Sequence, residues 1–254
     1  MRAHTLSASK LDLAYLCQYS FRGDVVVPDR PAGEKAVRGT AVHLAAERYH
    51  RGEPLPELDE EGAALWRSLK GWLEASPRYN HSELALLYDA ETDTATQCVM
   101  GDGARDYQGV GPMKLPMRLD LVRERMDDDE VWVCELKTGA KSNTAPAPVN
   151  SQIATQAVGA SRFFGVNRVN VGLIFPMKTK VHAPEWHLLD GDALDEHAGK
   201  IHRVLKLIPD SKPIQGDHCF RCNLGPGAKG IAATCPAWVA ARNEADTHFE
   251  GAAQ

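Results

Sequence analysis

Residues 117–137 read MRLDLVRERMDDDEVWVCELK, and this stretch decides the fold. Two runs rich in apolar and β-branched residues, MRLDLV and EVWVCELK, flank an acidic segment with three consecutive aspartates. That is the pattern of two neighbouring strands joined by a polar turn. Alternate side chains of a strand share a face, so Glu135 and Lys137 project together while Leu136 points into the core. Asp is depleted from strands, which makes Asp120 within the first run conspicuous. Across the hairpin it would bring a second carboxylate to Glu135, Lys137 and the backbone carbonyl of Leu136.

Working outward, SELALLYD (82–89) and ATQCVM (95–100) have the same strand character, so the four runs read as an antiparallel meander. Downstream, residues 138–150 form a loop marked by Gly139, Pro146 and Pro148. From Ser151 the spacing of Ile153, Ala157, Ala160 and Phe164 is helical, with Gln152 and Gln156 on a neighbouring face. RVNVGLIF (168–175) is a further strand with a partner near 185–189, and Leu194, Ala198, Ile201, Leu205 and Ile208 define another helix. Upstream, Leu11, Ala14 and Tyr15 mark a short helix ending near Cys17, capped by Ser7 or Ser9. A second helix runs from Glu34 to about Tyr49 with Gly39, His43 and Glu47 on one face. Leu65, Trp66, Leu69, Trp72 and Leu73 make a third, amphipathic and followed by Pro77. This order predicts an α+β fold, a mixed central β-sheet flanked by helices, in one domain over 1–254 with its core at about 30–208.

The bulk numbers exclude several classes. With 254 residues, 43% hydrophobic and 25% charged, the chain can bury a full core and is not intrinsically disordered. Its apolar runs are too short to cross a bilayer, and the start, MRAHTLSASKL, has no apolar leader; the cytoplasm is the expected compartment. The net charge of −5 means that any nucleic-acid contact must rest on a local patch and on bound cations. Arg118, Arg123, Arg125, Lys137 and Lys141 cluster in sequence around the proposed site.

Carboxylates, an imidazole and a carbonyl suit a hard cation, magnesium or manganese, whereas thiolates suit zinc or an iron–sulfur cluster. The thiols lie at the two ends: Cys17 near the start, then Cys219-Phe-Arg-Cys222 and Cys235-Pro236. A Cys-x-x-Cys that does not follow a strand argues against thioredoxin-like redox chemistry. Four thiolates fit either an iron–sulfur cluster or a tetrahedral zinc. Cys98 and Cys134, on expected strands, read as ordinary buried thiols.

Taken in order, Gly39 with His43, Asp120 in Met-Arg-Leu-Asp, Glu135 with Lys137, and Gln152 followed by Gln156 resemble the PD-(D/E)XK nuclease superfamily. The similarity is to its RecB-like iron–sulfur exonuclease branch, of CRISPR adaptation and of recombination helicase–nucleases. The resemblance implies a restriction-endonuclease-like core and a metal-dependent DNA exonuclease acting on single strands or free ends. It makes His43, Asp120, Glu135 and the Leu136 carbonyl ligands of Mg2+ or Mn2+, and Lys137 the catalytic lysine. It places Gln152 at the active-site edge beside substrate, with Gln156 at the substrate-side position; from the basic cluster, Arg118 and Lys141 are candidate substrate contacts. It also implies a 4Fe–4S cluster on Cys17, Cys219, Cys222 and Cys235, clasping residues of about 6–20 to about 209–240, while the last residues, 244–254, read from the sequence as a frayed or disordered tail. A helicase or integrase partner and a homo-oligomer belong to the same expectation. Two departures stand out: Met117 occupies a glycine position, and Gln156 a tyrosine position. The alternatives are a catalytically inactive nucleic-acid-binding module of a helicase or integrase, and a zinc-stapled nuclease acting on another nucleic acid such as RNA.

Overall fold

The computed structural model describes residues 2–3, 6–27, 32–98, 110–125, 128–214, 219, 224 and 235–236. In chain order the strands and α-helices are β1 (Arg2–Ala3), α1 (Leu11–Leu16), β2 (Val26–Val27), α2 (Glu34–Arg51), α3 (Glu60–Ala75), β3 (His81–Asp89), β4 (Thr94–Gln97), β5 (Lys114–Arg125), β6 (Glu130–Leu136), α4 (Ser151–Phe164), β7 (Arg168–Pro176), β8 (Val181–His182), β9 (His187–Leu189) and α5 (Gly191–Leu207).

The helix ends follow local chemistry. Asp59, Asn150 and Asp190 cap α3, α4 and α5 by accepting the backbone N–H groups of Gly62, Ile153 and Ala193. Helices α2 and α4 stop at Gly52 and Gly165, whose left-handed backbone (φ of 70° and 69°) glycine adopts without steric cost.

The large sheet runs β4-β3-β5-β6-β7-β8, with β9 also pairing β7. It is mixed: β3–β5 and β5–β6 are antiparallel, and β6–β7 is parallel, joined through α4. One expectation needs correction. The first four strands are not a simple meander, because β4 lies at the edge and β3 pairs directly with β5. Strand β4 has four residues, largely exposed, and too little apolar surface to claim a central place.

The sheet is filled on both faces. One core joins it to α1, α4 and α5 through Leu11, Ile153, Ala157, Val158, Leu194 and Ile201. The other joins it to α2 and α3 through Val42, Ala46, Leu65, Trp66 and Leu69, with Leu121, Cys134, Leu136 and Ile174 on the sheet side. Strand β7 is buried over eight of its nine residues, as expected for a strand covered on both faces. Among the described residues no helix is long and apolar enough to cross a membrane.

Candidate active site

The site forms where β5 and β6 part. Their ladder runs from Arg125 opposite Glu130 to Leu121 opposite Cys134 and stops one residue short of Asp120 and Glu135. There the Leu136 N–H donates to Asp120 Oδ2 at 2.6 Å, so a side chain replaces a ladder acceptor. Strand β6 keeps its pairing with β7 through Leu136 opposite Ile174, and the Lys137 N–H donates to the Ile174 carbonyl at 2.9 Å. Glu135 and Lys137 are therefore fixed on one side while Asp120 faces a gap.

Helix α2 closes that gap. His43 Nδ1 lies 3.2 Å from Glu83 Oε1 and 3.3 Å from Asp120 Oδ1. One turn earlier, a Cβ on Gly39 would stand 2.6 Å from Thr138 Oγ1, so glycine lets α2 lean on the segment after Lys137. Glu47, one turn beyond His43, forms an ion pair with Arg51.

Glu83 is the residue that sequence reasoning missed. It lies in β3 between Ser82 and Leu84, which pair with Leu121 and Leu119, so it faces Asp120. Its φ of 55° is left-handed, which costs a non-glycine residue of order 1 kcal/mol and re-aims the carboxylate toward α2. Arg118 Nη1 donates to its other oxygen at 3.1 Å. The only available signal was an acid at the start of an apolar strand.

On the α4 side, Lys137 Nζ donates to Glu135 Oε1 at 2.9 Å and to Gln152 Oε1 at 2.6 Å. The Gln152 amide donates to the same Glu135 oxygen at 2.5 Å. Gln156 donates to Glu135 Oε2 at 2.7 Å and to the Arg118 carbonyl at 2.8 Å. Lys141 lies apart from this group and is paired with Glu185 at 3.2 Å on the surface.

The electrostatics favour a cation. Burial and the neighbouring Glu135 charge push the Asp120 carboxyl up to about 7. Burial alone would lower the His43 imidazole, but Asp120 and Glu83 override it and hold it up at about 10. Burial works to raise Glu83, and His43 and Arg118 outweigh it, leaving the carboxyl below its ordinary value. Protons thus offset the crowded carboxylates. Among the described residues, His43, Glu83 and Asp120 bring ligand atoms within 4.8 Å of one another, a donor set that fits a hard divalent cation.

The profile of the PD-(D/E)XK nuclease superfamily matches residues 5–225, spanning all of these groups. The chain belongs to the PD-(D/E)XK nuclease superfamily. Membership points to a metal-dependent nuclease, and the mixed sheet flanked by helices fits a restriction-endonuclease-like fold. No curated protein matches the chain. The crystal structure of SSO0001 is similar at 17% identity and a TM-score of 0.30, over 58% of this chain and 56% of that one.

The cysteines of this superfamily member are only partly in view. Cys17, Cys219 and Cys235 are buried, and Cys222 lies outside the described residues, as does the expected tail at 244–254. Cys235 and Leu224 pack together with Leu13, Tyr19 and Val25, and Arg22 Nη1 donates to the Ser211 carbonyl at 3.0 Å. Described parts of the two ends thus meet. Cys134 is fully buried, and burial followed by the nearby Asp120 and Glu135 charges raises its thiol well above the usual range.

Proposed function

We propose that this single-domain protein is a metal-dependent DNA exonuclease of the cytoplasm, acting on single-stranded DNA or DNA ends beside a helicase or integrase chain. The observation that carries the reading is the junction of β5 and β6, where Asp120 and Glu135 leave the ladder with His43 above them and Lys137 beside them. A divalent cation held there would supply Lewis acidity, which polarises a phosphate and lowers the pKa of bound water. His43, Asp120, Glu135 and the Leu136 carbonyl would hold it. Lys137 would orient the attacking water and offset charge developing on the phosphate. Gln152 joins Lys137 to Glu135 and so keeps the ammonium aimed. Arg118, largely buried beside Glu83, can take a phosphate oxygen of the strand.

Incubation of purified protein with end-labelled single- and double-stranded DNA, with and without manganese, tests the reading. Release of short labelled products that chelator abolishes is expected. Intact DNA at saturating manganese would overturn it.

The same proposal includes a structural 4Fe–4S cluster on Cys17, Cys219, Cys222 and Cys235. Packing of Cys235 against the segment that ends in Cys17 supports it. By analogy with a cross-link closing a loop of this length, such a clasp stabilises by roughly 5 kcal/mol. Elemental analysis of anaerobically purified protein should give about four irons and four sulfides per chain. One zinc and no iron would replace the cluster by a zinc staple and leave the nuclease standing.

A further inference from the structure

Gln156 occupies the helix position at which the resembling nucleases carry tyrosine, and its surroundings differ from those of a substrate contact. It is 1% exposed, and it lies on α4 one turn after Gln152. Its amide nitrogen has two neighbours, Glu135 Oε2 and the Arg118 carbonyl, and both are acceptors. The orientation of the amide is therefore fixed, since its oxygen would meet two oxygens if turned over. The price of this arrangement is Gln156 Oε1, which is buried without a hydrogen-bond partner. A methionine or leucine would fill the space without an orphaned acceptor, so packing alone does not account for the residue.

The two acceptors lie on different strands. Arg118 belongs to β5 and Glu135 to β6, and the ladder between these strands has already ended at Leu121 and Cys134. Gln156 thus ties the two strands together behind the gap that separates them. Lone-pair accounting on Glu135 gives the consequence. Lys137 and Gln152 both donate to Oε1, and an ionised carboxylate oxygen accepts about two hydrogen bonds, so Oε1 is full. Gln156 takes one site on Oε2 and leaves the other open.

We propose that Gln156 is a positioning residue that ties Glu135 to β5 and leaves one lone pair of Oε2 as the route by which Glu135 meets a divalent cation. The inference rests on the nuclease reading for its purpose, not for its geometry. Gln156 itself touches neither the cation nor the nucleic acid.

The test is manganese binding to the metal-free protein, followed by calorimetry without DNA, in wild type, Gln156→Met and Gln156→His. Methionine keeps the length and removes the donors, and histidine keeps one donor. Loss of a group that orients a ligand typically weakens metal binding about 10–100-fold, and that loss is expected for Gln156→Met with partial recovery in Gln156→His. The KM for DNA should stay within about twofold of wild type, because substrate binding is not what the residue serves. Manganese affinity unchanged in Gln156→Met would overturn the proposal. A raised KM with unchanged metal affinity would overturn it in favour of a substrate contact. Melting curves guard the comparison, and if the methionine variant melts early, full-strength manganese binding by a stably folded Gln156→His against a weakened Gln156→Leu also supports the donor role. Weakened manganese binding in a protein whose wild type leaves DNA intact would keep the role of Gln156 and remove the nuclease reading.

Discussion

The two halves of the site, one under α2 and one under α4, are built on opposite principles. On the α2 side His43, Glu83 and Asp120 crowd together, and Asp120 is pushed up to about 7 by burial and by the charge of Glu135. On the α4 side Glu135 is equally buried, yet it receives donors from Lys137, Gln152 and Gln156. In one half two carboxylates share one imidazole, and in the other a single carboxylate is hydrogen-bonded almost to capacity. The difference assigns the work: the α2 half gains most from a cation, and the α4 half holds a carboxylate and an ammonium in fixed positions. A buried carboxylate without enough donors shifts its pKa or binds a metal, whereas donors on a carboxylate fix which of its lone pairs stays open to a cation.

The largest effect should come from the α4 half. Lys137→Ala should lower DNA cleavage by about 10²–10⁴-fold, the range typical of a lost group that acts on the transition state. Its fold should survive, since Gln152 still donates to Glu135 Oε1 and Lys137 is only partly buried. Circular dichroism and melting near wild type, with cleavage gone, is the expected pair of results; undiminished cleavage would mean that the ammonium is a structural partner of Glu135.

His43→Ala probes the α2 half. It should raise the manganese concentration needed for half-maximal cleavage by about 10–100-fold while sparing activity at saturation, because the carboxylates remain. Coincident titration curves would reduce His43 to a helix residue that packs against Glu83.

The same half carries a pH signature. Both His43 and Asp120 sit above their ordinary values, so at neutral pH the metal-free site holds protons that a cation must displace. Manganese affinity should therefore weaken as pH falls through 7, with about one to two protons released per cation near neutrality. Calorimetry in buffers of different ionisation enthalpy counts them, and binding without proton release would contradict the crowding described for Asp120.

The smallest effect tests how closely α4 is held. A Cβ on Gly159 would collide with Met117 Sδ, and Met117 is 1% exposed. Gly159→Ala should cost about 1–3 kcal/mol in chemical denaturation, the usual range for overpacking. Met117→Ala in the same chain should recover part of that loss, as expected for residues in contact. Additive costs would show that α4 shifts freely on the sheet.

The α4 half was the more legible in sequence. Alternation along one strand places Glu135 with Lys137, and helical spacing places Gln152 with Gln156, so short-range periodicity carries both. The α2 half depends on contacts between distant elements. His43 was visible as a helical histidine after Gly39, but Glu83 was not, because its place follows from β3 pairing with β5 across the β4 excursion and from a left-handed backbone that no residue type announces. The same long-range pairing moved β4 to the edge, against the expected meander. Lys141, near Glu135 in sequence, is carried off by the loop to Glu185. The substitution of methionine at position 117 becomes intelligible only once Gly159 is seen opposite it.

The central proposal is that Asp120 and Glu135 would together hold a divalent cation where β5 and β6 part. Anomalous scattering from crystals soaked in manganese tests it most directly. The account predicts one strong peak at bonding distance, about 2.0–2.2 Å, from Asp120 and from Glu135 Oε2, with His43 turned to it. A peak held by His43, Glu83 and Asp120 with Glu135 still closed by its donors, or no peak in this region, would contradict it.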